Sequence, residues 1–298
     1  MKVHLVDGTY ELFRHHFAVP SHVTADGREV AAVRGTAGSV LSMLERGATH
    51  VAVATDHVIE SFRNELWPGY KSSAGVPPEL LSQFPLLEDV LRALGFTVLA
   101  MTEHEADDAL ASAARVAAAD TRVEQVLVCT PDKDLGQSVG GKVVQLDRRK
   151  RAVTDAQGIV DKFGVPPESV ADYLALVGDS ADGFPGLKGW GAASSGVVLR
   201  AFRRIEDIPD DPGQWKARGV TVRGAASLAA TLRDQRALAL LFKELATLRD
   251  DLPVGDVDSW EWRGPASDVD DAVARIDAPE LATRAKGIAD RRSGGGRQ

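Results

Sequence analysis

Val126-Leu127-Val128-Cys129-Thr130-Pro131-Asp132-Lys133-Asp134 is the stretch that decides the fold. Its apolar run reads as a buried strand, ended by a proline, with two carboxylates close behind. The same grammar occurs upstream, where Val3–Val6 stops at Asp7 and Val51–Thr55 stops at Asp56. Phe96–Leu99 is a further strand-like run. Helical spacing fills the gaps. Ala31–Arg46 carries Val33, Ala37, Val40, Leu41 and Leu44 on one side and stops at Gly47. Leu86–Leu94 closes at Gly95, and Ala106–Ala119 is rich in alanine. Strands alternating with helices predict an α/β fold, a doubly wound, mainly parallel sheet with helices on both faces. Such sheets bind ligands where the carboxyl ends of their strands emerge, and the aspartates stand at those ends.

Two regions depart from this alternation. From His57 to Pro85 the chain holds Arg63, Trp67-Pro68-Gly69-Tyr70-Lys71, Gly75 and Pro77-Pro78, too irregular for a core element and too long for an ordinary connection. It reads as a functional insert. Beyond Asp155 the strand signal fades. Helices are expected at Asp155–Phe163, Pro167–Val177, Gly191–Phe202 and Ala225–Leu248, with a glycine-rich turn over Gly183–Gly191. The Gly- and Arg-rich end, Arg291–Gln298, reads as a frayed tail.

The chain has 298 residues, 44% hydrophobic and 26% charged, which excludes disordered, collagen-like and disulfide-stapled classes. Its one cysteine, Cys129, excludes an internal disulfide and a cysteine zinc site. No signal-peptide core and no apolar run of membrane-spanning length is present, so a soluble cytoplasmic protein is expected. Gly136 to Lys142 has the spacing of a phosphate-binding loop, but Val143 follows where Ser or Thr is required. The net charge of −8 argues bluntly against nucleic acid. Concentrating acids in one site blunts that argument, because the rest of the chain is then about neutral.

The acids are concentrated. Asp7, Asp56, Asp132 and Asp134 follow strands, Glu105, Asp107 and Asp108 open a helix, and Asp179 and Asp182 follow another. Taken singly, each is a helix cap or a turn residue. If all converge on one edge of the sheet, nine carboxylates repel one another unless cations intervene. Oxygen-only ligation suits Mg²⁺ or Mn²⁺, and a pair of such ions can activate water against a phosphodiester.

Seven motifs stand in order. They are Leu5-Val6-Asp7-Gly8 with Phe13-Arg14, Asp56 with Ser61-Phe62-Arg63, Gly69-Tyr70-Lys71, and Glu105-Ala106-Asp107-Asp108. Thr130 to Leu135, Val177 to Asp182, and Pro185 to Gly191 complete the set. With them the chain resembles the 5′-nuclease family from about Val3 to Leu252. That family comprises flap endonucleases, phage 5′ exonucleases and the 5′→3′ exonuclease domain of bacterial DNA polymerase I. The likeness is greatest to stand-alone bacterial flap endonucleases that lack a polymerase.

The resemblance implies a PIN-like core over 1–154 with an arch or clamp at about 57–85. It further implies a helix-three-turn-helix DNA-binding region over 155–252, and the remainder, 253–298, is expected to be a C-terminal extension with a flexible tail. It implies that the nine acids hold two or three Mg²⁺ or Mn²⁺ ions and that Lys71 polarises the scissile phosphate. DNA contacts are implied at Arg14, Arg63, Tyr70, Gly186, Lys188, Gly189, Gly191 and Ser194, with K⁺ at the glycine turn. The implied activity is metal-dependent cleavage of DNA at 5′ flaps, nicks, gaps and recessed 5′ ends, by a monomer in the nucleoid, in replication and repair. The family often has an Arg after Tyr-Lys and Lys-Thr-Ala after the glycine turn. Here Ser72-Ser73-Ala74-Gly75 and Ala193-Ser194-Ser195 stand instead, removing two phosphate contacts. A PIN-type endoribonuclease and a non-catalytic branched-DNA binding module are the alternatives.

Overall fold

A computed structural model describes residues 1–294, which form two compact units. The first unit comprises Met1–Ile59, Ser73–Thr130 and the chain from Asp250 onward. The second comprises Glu60–Ser72 and Pro131–Arg249.

The first unit holds the parallel strands β1 (Lys2–Asp7), β2 (His50–Asp56), β3 (Thr97–Met101) and β4 (Gln125–Cys129), in the order β3-β2-β1-β4. Helices α1 (Gly8–Ala18), α2 (Ala31–Glu45), α3 (Gln83–Ala93) and α4 (Ala106–Ala119) make the crossovers. Helices α1, α2 and α3 pack on one another, while α4 lies against all four strands. Strand β2 is buried at every position because helices cover both faces, which is why parallel strands read as unbroken apolar runs. The register pairs Val6 with Val53 and Cys129, and Asp56 with Met101, so all four carboxyl ends share one edge. Helix α1 starts flush against β2. A Cβ on Gly8 would sit 2.8 Å from the Ala54 carbonyl oxygen, so only glycine fits between Asp7 and the helix.

The chain beyond Asp250 belongs to this unit and does not trail from it as an extension. The Trp262 indole donates to Leu94 O at 2.8 Å, and Trp262 N donates to Thr49 O at 2.8 Å. A helix over Pro279–Gly294 packs on α2, with Arg284 gripping Glu45 at 2.9 and 3.1 Å. The expected fraying from Arg291 is replaced by helix as far as Gly294, and residues 295–298 lie outside the described residues. Among the described residues no helix is long and apolar enough to cross a membrane.

In the second unit β5 (Val143–Asp147) and β6 (Ala152–Thr154) form an antiparallel hairpin, turning at the exposed basic run Arg149, Lys150 and Arg151. The helices that follow are α5 (Ala156–Phe163), α6 (Val170–Val177), α7 (Ala192–Phe202), a short helix over Pro212–Ala217, α8 (Ala225–Asp234) and α9 (Arg236–Ala246). The single helix expected over Ala225–Leu248 is broken at Gln235, whose backbone leaves helical geometry at φ −121° and ψ 22°. The break presents the Arg236 guanidinium to the carbonyls of Ile205 and Ile208, at 2.6 and 2.8 Å. Helices α6 and α9 pack together around Leu174, Leu176, Phe184 and Phe242.

Residues 60–72, the first half of the expected insert, pack into this second core. Trp67 meets Phe242 edge-on at 5.2 Å, and its indole donates to Gly183 O at 3.1 Å. Gly183 has φ +83°, and a Cβ there would fall 2.0 Å from Gly69 O, so this crossing of two backbones requires glycine.

Candidate metal centre

The nine acids divide between the two units, five in the first and four in the second. On the carboxyl edge of the parallel sheet, Asp7 caps α1. Its Oδ1 accepts from Tyr10 N at 2.8 Å and its Oδ2 from Thr130 Oγ1 at 2.9 Å. Asp56 Oδ1 accepts from Ala106 N at 2.6 Å, tying the end of β2 to the start of α4. Glu105 and Asp108 form a reciprocal capping box there, and Asp108 accepts from Glu105 N at 3.0 Å. Asp107 is half-buried in the same turn. The caps that the sequence admits as the plain reading are therefore real, and they fix carboxylates at this edge.

In the second unit Asp134, Asp179 and Asp182 are all buried, with carboxylate oxygens within 4.8 Å of one another. Asp132 is exposed and accepts from Asp134 N at 3.0 Å. The loop after α6 is cinched, since Asp179 and Phe184 exchange backbone hydrogen bonds at 2.8 and 3.0 Å. Asp179 Oδ1 accepts from Ala181 N at 3.0 Å, and its Oδ2 meets Lys133 Nζ at 2.7 Å. Asp182 Oδ1 lies 3.1 Å from Lys71 Nζ. Asp134 Oδ1 is buried with no hydrogen-bond partner. Burial first, and then the charges of Asp132, Asp182 and Asp179, push the Asp134 carboxyl well above the usual carboxylate range, against the pull of Lys133. Burial works to lower the Lys133 ammonium, but its bond to Asp179 and the neighbouring acids outweigh that and raise it.

An orphaned oxygen amid three buried carboxylates fits a hard divalent cation. Such an ion would satisfy Asp134 Oδ1 and relieve the mutual repulsion, and the donor set is all oxygen.

The 5′-3′ exonuclease N-terminal, resolvase-like domain matches residues 2–164, and the 5′-3′ exonuclease C-terminal SAM fold matches residues 165–268. The chain belongs to the 5′-3′ exonuclease family. It is 33% identical to DNA polymerase I of Pseudomonas aeruginosa over 83% of this chain and 27% of that one. It is 34% identical to DNA polymerase I of Bacillus caldotenax over 85% of this chain and 28% of that one. The chain thus spans little more than a quarter of the length of these relatives. Among solved structures, T5 5′-exonuclease with divalent metal ions (zinc) bound superposes with a TM-score of 0.66 at 19% identity, over 97% of this chain and 99% of that one. The catalytic core of Rad2 in complex with DNA substrate gives a TM-score of 0.60 at 18% identity, over 96% and 91%. These likenesses show the fold.

In this exonuclease-family chain the expected DNA contacts are not all placed as expected. Arg63 is 1% exposed, and its guanidinium donates to Leu245 O at 2.8 Å and Thr247 O at 3.0 Å. It fastens residues 60–72 to the end of α9 and is not offered to a strand of DNA. Tyr70, 6% exposed, lies in the apolar core of the second unit and is no open stacking platform. Arg14 is held on its own helix by buried Glu11 and the ring of His15. Gly186 is also internal, since a Cβ there would meet Gly178 N at 2.4 Å. Lys188, Gly189 and Gly191 are exposed. Gly191 caps α7, with Ser194 Oγ accepting from its N–H at 3.1 Å.

Thr130 and Lys133 escaped the reading of the sequence. Both sit inside a quoted motif, and a hydroxyl or ammonium flanking paired acids was the available signal.

Proposed function

We propose that this chain hydrolyses DNA phosphodiesters at 5′ flaps, nicks, gaps and recessed 5′ ends, with two or three Mg²⁺ or Mn²⁺ ions held by its two acidic groups. Membership of the 5′-3′ exonuclease family supports the reaction class. One observation carries the site, the unsatisfied Asp134 Oδ1 among Asp179 and Asp182 with the Lys71 ammonium against them. Bound ions activate water and offset the charge that builds on a phosphodiester during in-line displacement.

The side chains have separable tasks. Asp179 and Asp182, on the cinched loop after α6, and Asp134, in the turn after β4, supply ligand oxygens. Asp7, Asp56 and Glu105 supply others, oriented by Thr130, Ala106 and the first turn of α4. Lys71 is aimed by its own N–H, which donates to Asp182 O at 3.0 Å, and supplies positive charge to a phosphate oxygen. The exposed amides at the start of α7, beside Lys188, hold backbone phosphates, and the glycine turn would be the place to hold K⁺. The protein acts as a monomer on DNA, and its setting is replication and repair.

Asp179→Asn tests the reading. Cleavage of a flap duplex in Mn²⁺ should fall at least about a hundredfold, while flap binding persists. Full activity in that variant would remove the metal centre from the account.

A further inference from the structure

Three buried carboxylates in one loop cluster need positive charge before any divalent ion arrives. The second unit supplies it from within. Lys71 Nζ stands on Asp182 and Lys133 Nζ on Asp179. The two lysines differ in freedom. Lys71 comes from the separate segment 60–72, whereas Lys133 lies in the chain between Asp132 and Asp134 and cannot leave the cluster. The Asp179 carboxylate has its Oδ1 committed to Ala181 N, so Oδ2 is the oxygen left for a cation. Lys133 takes that oxygen at 2.7 Å, and Asp179 is 2% exposed while the Lys133 side chain is 34% exposed.

We infer that Lys133 is a resident counter-cation that competes with divalent ions for Asp179 Oδ2 and so sets how readily this cluster loads. This rests on the metal reading proposed above. The pair stabilises the ion-free loop, where an unpaired buried carboxylate would be destabilising. It also weakens ion binding, since an incoming ion must displace or share the ammonium. Lys133 has an exposed path on release, and the cluster retains a positive charge within reach of a phosphate oxygen. Lys133 is a positioning residue here, acting through Asp179.

The test titrates Mn²⁺ into the purified full chain without DNA and reads free Mn²⁺ by electron paramagnetic resonance. Lys133→Met should bind Mn²⁺ roughly twofold to fivefold tighter than wild type, the range for losing one partly exposed ion pair. Lys133→Gln is the second variant and carries the same expectation, while Lys133→Arg should stay near wild type. Melting in EDTA and in Mn²⁺ checks folding. Lys133→Met should melt lower than wild type without ions and gain more from them. A merely structural lysine would leave affinity unchanged or lower it, and either result in folded Lys133→Met and Lys133→Gln overturns the inference while sparing the metal reading. Equal Mn²⁺ binding by wild type and Asp179→Asn would overturn the metal reading and this inference with it.

Discussion

Asp134→Asn removes one negative charge from the buried trio and leaves the side chain's shape almost unchanged. One oxygen of Asp134 has no hydrogen-bond partner, and burial followed by neighbouring acids raises its carboxyl well above the usual range. A carboxyl raised by folding binds its proton more tightly folded than unfolded. The ion-free protein therefore keeps this contribution at pH below the unfolded value of about 4 and loses it as pH climbs through the raised folded value. Above that raised folded value the charge is in place and opposes folding. Removing it should return about 2 kcal/mol, the order of one unsatisfied buried polar group. For a chain of this size that is a rise of about 3 °C in melting temperature. The assay is thermal melting in EDTA from about pH 5 to pH 8, followed by circular dichroism. Asp134→Asn should melt above wild type at pH 8, with the gap closing towards acid. Saturating Mn²⁺ should reverse the order, because wild type alone keeps the full ligand set. Wild type melting above Asp134→Asn in EDTA at pH 8 would refute the reasoning.

Arg63→Ala strands the carbonyls of Leu245 and Thr247 and should cost about 3 kcal/mol, read in urea unfolding, with the DNA affinity of the folded fraction unchanged. A specific loss of DNA binding would restore Arg63 to the interface. Lys71→Met should lower single-turnover cleavage about a hundredfold or more at unchanged flap affinity, because its charge is needed as the phosphate reacts. Lys188→Ala should weaken binding evenly across DNA sequences and reduce the salt slope by about one, measured by fluorescence anisotropy. An unchanged slope would remove Lys188 from the phosphate contacts.

Much of the first unit was legible because buried parallel strands spell themselves as apolar runs. Val3–Val6, Val51–Thr55 and Val126–Cys129 all fall within observed strands, and Asp7 and Asp56 end the first two. The capping box at Glu105 and Asp108 follows from their spacing of three. What escaped depends on long-range contact. Nothing local says that Arg63 ends on carbonyls nearly two hundred residues away, or that Tyr70 faces a core and not a base. Gln235 breaks a helix without glycine or proline, because Arg236 finds acceptors in the Ile205–Ile208 turn. The return of the chain through Trp262 to Thr49 and Leu94 was hidden for the same reason.

The central claim is that the acids of this chain run metal-dependent cleavage at a 5′ junction. A 5′-flap duplex labelled at the 3′ end of the flap strand, incubated with the protein in Mn²⁺, in Mg²⁺ and in EDTA, tests it most directly. The account predicts cutting within about a nucleotide of the junction in either metal, by in-line hydrolysis at the bound ions, and an intact strand in EDTA. Intact flaps in all three conditions, or cutting that survives EDTA, would contradict it.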